Sequence, residues 1–184
     1  MKPTIIAVTG HPATGKTTFA HYLAEEMGLP LIWKDQIKES LLETLGVFDT
    51  KWSRKLSVAT WALLYQQIEN LLKANISHIV ESNFDPAYAN SHWSRLFQKY
   101  EFRLIQIRCE TEPEALLKRY RQRISDGSRL IGHVDVSEDL EFLESIKHHM
   151  GWIDGESIQL SLNTTDIEQL DYSKIARKIK MLIN

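Results

Sequence analysis

Cysteine is nearly absent from this chain. The single residue, Cys109, excludes an internal disulfide framework and suits a reducing compartment. It ends an apolar run, where a buried structural thiol is the plain reading and a reactive thiol the alternative. Long hydrophobic runs are missing too. No stretch approaches the ~20 apolar residues that span a bilayer, and no signal-type apolar segment precedes residue 10. Charge of one sign is not in excess. A formal net charge of −2 gives no global pull toward nucleic acid or an anionic membrane. No repeat, low-complexity tract or Pro/Gly/Ser linker divides the 184 residues. With 43% hydrophobic and 25% charged residues, the expectation is one globular domain over residues 1–184, cytoplasmic, with no membrane segment, as a monomer or homodimer.

What is present starts with Gly10-His11-Pro12-Ala13-Thr14-Gly15-Lys16-Thr17-Thr18, which fits G-x-x-x-x-G-K-[ST]. The β-branched run Thr4 to Thr9 precedes it and reads as a buried strand. Thr17 to Met27 follows, with Phe19, Tyr22 and Leu23 at helical spacing. A strand–loop–helix of this kind cradles polyphosphate. Two glycines let the backbone curl its N–H groups inward, and the helix N-terminus adds a positive dipole end. Lys16 can reach the β- and γ-phosphates, and the Thr17 hydroxyl can ligate Mg²⁺.

The rest of the chain alternates strands and helices. Leu31 to Trp33 reads as a second strand, with Asp35 at its C-terminal end and a helical stripe from Ile37 to Leu45. Asp35 carries two readings: a helix N-cap, and a carboxylate on the ligand-binding rim that accepts a proton from a substrate hydroxyl. Residues 47 to 52 read as a loop and Ser53 to Ala74 as a long helix, in which Trp61 and Tyr65 fit core packing better than an aromatic cage. A third strand, Ile76 to Val80, runs into Glu81-Ser82-Asn83. An apolar strand ending in an acid fits a magnesium-orienting carboxylate, with an ordinary turn acid as the alternative. Asn83 is a candidate for positioning substrate or water. Asp85 before Pro86 reads as the cap of a helix from Ala87 to Tyr100.

Phe102 to Cys109 is the fourth strand, and Thr111-Glu112-Pro113-Glu114 starts the next helix. That helix carries Arg119 and Arg123 on one face. Arg129 and His133 follow in a polar, glycine-bearing segment that reads as a lid over about residues 124–139, where His133 has three readings: a lid contact, a proton-transfer group and a turn residue. Closing such a lid brings forked guanidinium donors to a transferring phosphoryl group, and a solvated basic face is the alternative. Val136 to Met150 reads as a helix, Ser157 to Leu162 as a fifth strand, and Tyr172 to Leu182 as the last helix. Asn163 to Thr165 falls on the ligand rim, and Thr164 is the candidate nucleotide contact there.

The ordered set of Gly10 to Thr18, Asp35 to Glu39, Glu81 to Phe84, Arg119/Arg123 with Arg129 to Asp135, and Asn163 to Thr165 resembles the zeta-toxin, polynucleotide-kinase and chloramphenicol-phosphotransferase group of P-loop kinases. Small bacterial ATP-binding proteins of AAA type belong to the same group. The resemblance implies an α/β P-loop NTPase fold: a five-stranded parallel sheet in the order 2-3-1-4-5, helices on both faces and a lid. It implies Asp35 as base, Lys16 and the lid arginines as transition-state stabilisers, and ATP with Mg²⁺ as cofactors. Lys38, Glu81, Asn83 and His133 are then the substrate-side candidates, and Thr17 and Glu81 the metal-side ones. Two departures matter. Lys38 stands where polynucleotide kinases often carry arginine, which argues against a nucleic-acid 5′ end. No second carboxylate accompanies Asp35, so the metal must rely on Thr17, phosphate oxygens, water and Glu81. The expected activity is transfer of the ATP γ-phosphate to a hydroxyl of a small molecule. A nucleotide or polynucleotide kinase, and an ATP-hydrolysing switch without an acceptor, are the alternatives.

Overall fold

The computed structural model describes residues 2–126, 139–147 and 151–183. Arg129, His133 and most of the expected lid lie outside the described residues, as do His148 and His149. Five strands, β1 (Thr4–Gly10), β2 (Leu31–Trp33), β3 (His78–Glu81), β4 (Arg103–Glu110) and β5 (Ile158–Asn163), form one parallel sheet in the order β2-β3-β1-β4-β5. This is the expected topology. Around the sheet lie α1 (Lys16–Met27), α2 (Lys34–Leu45), α3 (Thr50–Lys73), α4 (Pro86–Lys99), α5 (Pro113–Ser125), α6 (Asp139–Ile146) and α7 (Tyr172–Ile183).

Alternation along β1 builds the two layers. Successive side chains of a strand point to opposite faces. Ile5 and Ala7 join the layer under α3 and α4, with Leu64, Ile68 and Trp93. Ile6 and Val8 join the opposite layer under α1 and α7, with Phe19, Leu23, Ala176 and Ile179. Trp61 and Tyr65 pack against the first layer, as core rather than as a cage. Cys109 is 2% exposed, and burial pushes its thiol up to about 12, so the structural reading of this residue holds.

Helix ends show where local chemistry differs from the expectation. Asp85 caps α4, its carboxylate accepting from the Ala87 N–H at 2.9 Å. α3 begins three residues before the expected Ser53, because Asp49 caps it by accepting from the Trp52 N–H at 2.7 Å. Asp35 is not an N-cap. β2 runs directly into α2, which leaves Trp33 as the capping residue without a side-chain bond and sets Asp35 in the first helical turn. There the carboxylate meets the positive end of the helix dipole. For the sixth helix the described span is Asp139–Ile146, inside the expected Val136 to Met150, and it is tied to α5 by Tyr120 stacking on Phe142 at 4.0 Å. No helix among the described residues is long and apolar enough to cross a membrane.

Candidate active site

Parallel register sets the C-terminal ends of the strands on one rim. Trp33 and Val8 both pair with Glu81, Gly10 pairs with Cys109, and Glu110 pairs with Asn163. In open α/β sheets ligands bind at this rim. The loop after β1 curls through three positive-φ positions. Gly10 has φ +151°, Ala13 φ +67° and Gly15 φ +80°, and α1 starts at Lys16. Thr14 donates to the His11 carbonyl at 2.9 Å, which closes the loop on itself. The Ala13 methyl is buried against Leu116, Tyr120 and Phe142, so α5 and α6 pack directly on the loop. The 3₁₀ turn Ile167–Gln169 covers its other side, with Ile167 over Gly15.

Gly10 is required for two independent reasons. Its φ is one that side-chain-bearing residues rarely adopt, and a Cβ would lie 2.7 Å from the Cys109 carbonyl and 2.8 Å from Thr14 Oγ1. Gly10→Ala is expected to lower stability by about 1–3 kcal/mol and weaken nucleotide binding about tenfold or more. Thermal unfolding and ATP titration check both, and wild-type affinity in the variant would show that the curl tolerates a side chain.

At the loop's end, Lys16 is 9% exposed. Its Nζ donates to the His11 carbonyl at 3.4 Å and lies 3.8 Å from Glu81 Oε1. Thr17 Oγ1 donates to Glu81 Oε2 at 3.1 Å. Burial pushes the Glu81 carboxyl above its ordinary value; Lys16 opposes the rise and Asp35 adds to it. Glu81 is therefore a buried acid facing a lysine and a hydroxyl, not a turn residue. Hydroxyl and carboxylate oxygens suit Mg²⁺, a hard cation, and added positive charge would stabilise the ionised Glu81. Among the described residues no three His, Cys, Asp or Glu side chains cluster as a metal site, so such an ion would draw its remaining ligands from phosphate and water.

Three hollows meet at this loop. One, of about 530 Å³, lies between the loop and the ends of β4 and β5, lined among others by His11, Arg108, Thr111, Asn163 and Thr165. A second, of about 490 Å³, lies over Gly15 to Thr18 and is bordered by Arg119 and Arg123 of α5. A third, of about 310 Å³, lies between the loop, β3, α2 and α3. Asp35, Lys16, Thr17 and Arg123 border both of the last two. Pro12, Lys38, Glu81 and Asn83 line only the third.

Two expected residues, Thr164 and Arg119, also make bonds that hold the fold together. Thr164 is fully buried, its hydroxyl 2.6 Å from that of Thr111 and donating to the Glu110 carbonyl at 3.0 Å. It fastens the end of β5 to β4, and its neighbours Asn163 and Thr165 reach the cavity. Arg119 donates from Nη2 to the Thr165 carbonyl at 2.6 Å, while its Nη1 is buried without a hydrogen-bond partner. Sequence reasoning missed Lys34, Arg54 and Ser57 in the third hollow and Arg108 in the first. Lys34 had a local signal, standing next to Asp35. Arg54 and Ser57 are three apart on α3, which sets them on one helix face, yet that face meets the site only through folding.

Comparison with known proteins agrees with this geometry. Residues 5–138 match AAA_33, an AAA domain family. A candidate kinase from Chloroflexus aurantiacus J-10-fl is 35% identical, covering 98% of both chains with a TM-score of 0.92. Shikimate kinase from Bacteroides thetaiotaomicron (15% identical, 98% of both chains, TM-score 0.60) shares the fold. So does the Mycobacterium tuberculosis APS kinase, solved with AMPPNP and APS (13% identical, 99% of this chain and 97% of that one, TM-score 0.59). No curated protein matches the chain. Sequence and architecture lead to one family: the chain belongs to AAA_33, among the P-loop kinase-like AAA domains.

Proposed function

We propose that this protein is an ATP-dependent phosphotransferase that moves the γ-phosphate of ATP to a hydroxyl of a small molecule. One observation carries the reading. Asp35, in the first turn of α2, borders the same two hollows as Lys16 and Thr17 of the phosphate loop. A carboxylate across from a phosphate cradle has the geometry a general base needs, whereas a nucleotide-binding module has no use for it.

In this reading the loop amides and Lys16 hold the β- and γ-phosphates, and Thr17 and Glu81 would hold Mg²⁺, which supplies charge neutralisation at phosphate oxygens when bound. The acceptor hydroxyl attacks the γ-phosphorus and its proton passes to Asp35. The bond from the γ-phosphorus to the β–γ bridging oxygen breaks, and ADP leaves with that oxygen. Arg123 and Arg119 face the transferring group, and a phosphate oxygen would satisfy the orphaned Arg119 Nη1. Asn83, lining the acceptor hollow, orients the alcohol. Arg129 keeps the lid role, and His133 the substrate-side role, expected from the sequence. Catalysis then comes from positioning and electrostatics rather than from a covalent intermediate.

The test is a screen of hydroxylated metabolites and antibiotics with γ-labelled ATP. Label is expected on an acceptor, with ADP formed in equal amount. Hydrolysis that no acceptor ever stimulates would reject the reading in favour of an ATP-hydrolysing switch.

A further inference from the structure

We infer that Glu81 makes the phosphate loop select metal-bound nucleotide, by holding Lys16 and Thr17 until a divalent cation draws its carboxylate away. The inference rests on one part of the reading above, ATP held by the loop with Lys16 and Thr17, and is independent of phosphate transfer. It comes from where one carboxylate sits. Glu81 Oε1 lies 3.8 Å from Lys16 Nζ, and Oε2 accepts from Thr17 Oγ1 at 3.1 Å. The two side chains that would grip phosphate and metal are thus held by the two oxygens of one group. The Lys16 ammonium also donates to the His11 carbonyl at 3.4 Å. The lysine and glutamate side chains are 11% and 3% exposed, so water screens the pair little.

The backbone cannot relieve this contact. Glu81 ends a strand paired on both sides, with Val8 of β1 and Trp33 of β2 opposite it. Beyond it, the Ser82 N–H donates to the Val8 carbonyl at 3.2 Å and the Phe84 N–H to Thr9 Oγ1 at 3.1 Å. Release therefore runs through the side chains. A metal-free polyphosphate must take Lys16 for its own oxygens, which leaves Glu81 buried, charged and unmatched beside a second anion. Breaking a buried pair in this way is costly, and the like charge adds to the cost. With a divalent cation present the balance changes. Glu81 exchanges the lysine for a hard cation that suits carboxylate and hydroxyl oxygens, and Lys16 turns to the β- and γ-phosphates. The same residue therefore excludes one form of the nucleotide and admits the other. A residue that only ligated the metal would do the second and not the first.

The experiment titrates the full chain calorimetrically with AMPPNP, in excess Mg²⁺ and in EDTA at matched ionic strength. Wild type is expected to bind the metal-free nucleotide about thirtyfold or more weaker than the magnesium complex. Glu81→Gln keeps the shape of the side chain and a partner for Thr17 but removes the charge. It is expected to bind metal-free AMPPNP about tenfold tighter than wild type does, while its gain from Mg²⁺ shrinks. Thermal unfolding confirms that the variant is folded. Metal-free affinity in Glu81→Gln equal to or below that of wild type would overturn the inference and leave Glu81 a metal ligand alone. So would wild-type affinities within about threefold of each other in the two buffers, a result that needs no variant. Absence of AMPPNP binding in both buffers would remove the phosphate cradle itself, and the inference with it. A selectivity that Glu81→Gln relaxes upholds the inference whether or not any acceptor is phosphorylated.

Discussion

Asp35→Asn is expected to lower acceptor phosphorylation about a thousandfold while ATP affinity stays within a few-fold of wild type. The substitution keeps the shape of the side chain and its place in the first turn of α2, a half-buried position on the rim. What it removes is the ability to take a proton. The acceptor must then release its proton to water as it attacks, and the contribution of a positioned base is lost. ATP affinity is spared because the loop amides, Lys16 and Thr17 hold the phosphates, and loss of a nearby negative charge does not hinder a polyanion. Single-turnover transfer and a nucleotide titration separate the two effects. Full turnover in the variant would remove Asp35 as the base. A parallel collapse of magnesium-dependent ATP binding would make it a metal ligand instead.

Lys16→Ala is expected to abolish measurable transfer and to destabilise the protein at neutral pH by about 3 kcal/mol. The first effect follows from losing the cation on the β- and γ-phosphates. The second comes from Glu81, 2% exposed, which would keep its charge without the lysine 3.8 Å away. Removing one partner of a buried pair leaves an uncompensated charge, so the loss exceeds what the pair itself contributes. The pH dependence has a definite sign. Burial already raises the Glu81 carboxyl above its unfolded value, and losing Lys16 raises it further. The folded variant therefore binds a proton before the unfolded chain does, and its stability recovers on acidification toward the ordinary carboxylate range. Lys16→Ala/Glu81→Gln is expected to regain most of the lost stability at pH 7 and none of the activity. Chemical denaturation of the two variants across pH is the check. A deficit that does not shrink on acidification would show that Glu81 is not its source.

The parts legible in the sequence are those in which chemistry is local. Gly10 to Thr18 announce the loop because the curl, the lysine and the hydroxyl are consecutive. Glu81 is legible because an apolar strand ends on it, and Asp35 because it stands two residues after Trp33, at the end of the second strand. Asp49 was an available signal for the start of α3, since aspartate caps helices. The acceptor wall was not legible. Arg54 lies in a helix whose period shows which face is buried but not which strand end the other face meets. The inward turn of Thr164 was not legible for a related reason. Sequence places the loop after β5 on the rim, but alternation at a strand end decides which residue turns inward, and there the hydroxyl of Thr164 binds Thr111 and the Glu110 carbonyl while Asn163 and Thr165 take the cavity.

Ile167 over Gly15 and α7 beneath α1 bear on how this family is delimited. Recognisable similarity to AAA_33 stops at residue 138. Yet Ala176 and Ile179, beyond that point, are fully buried in the layer that supports the phosphate loop, and β5 completes the sheet. A recombinant fragment cut at the end of the matched region would keep the phosphate loop, Asp35 and Glu81 but lose one wall of the core beneath them. The segment beyond the matched region therefore supplies part of the core under the phosphate loop, through apolar side chains of α7.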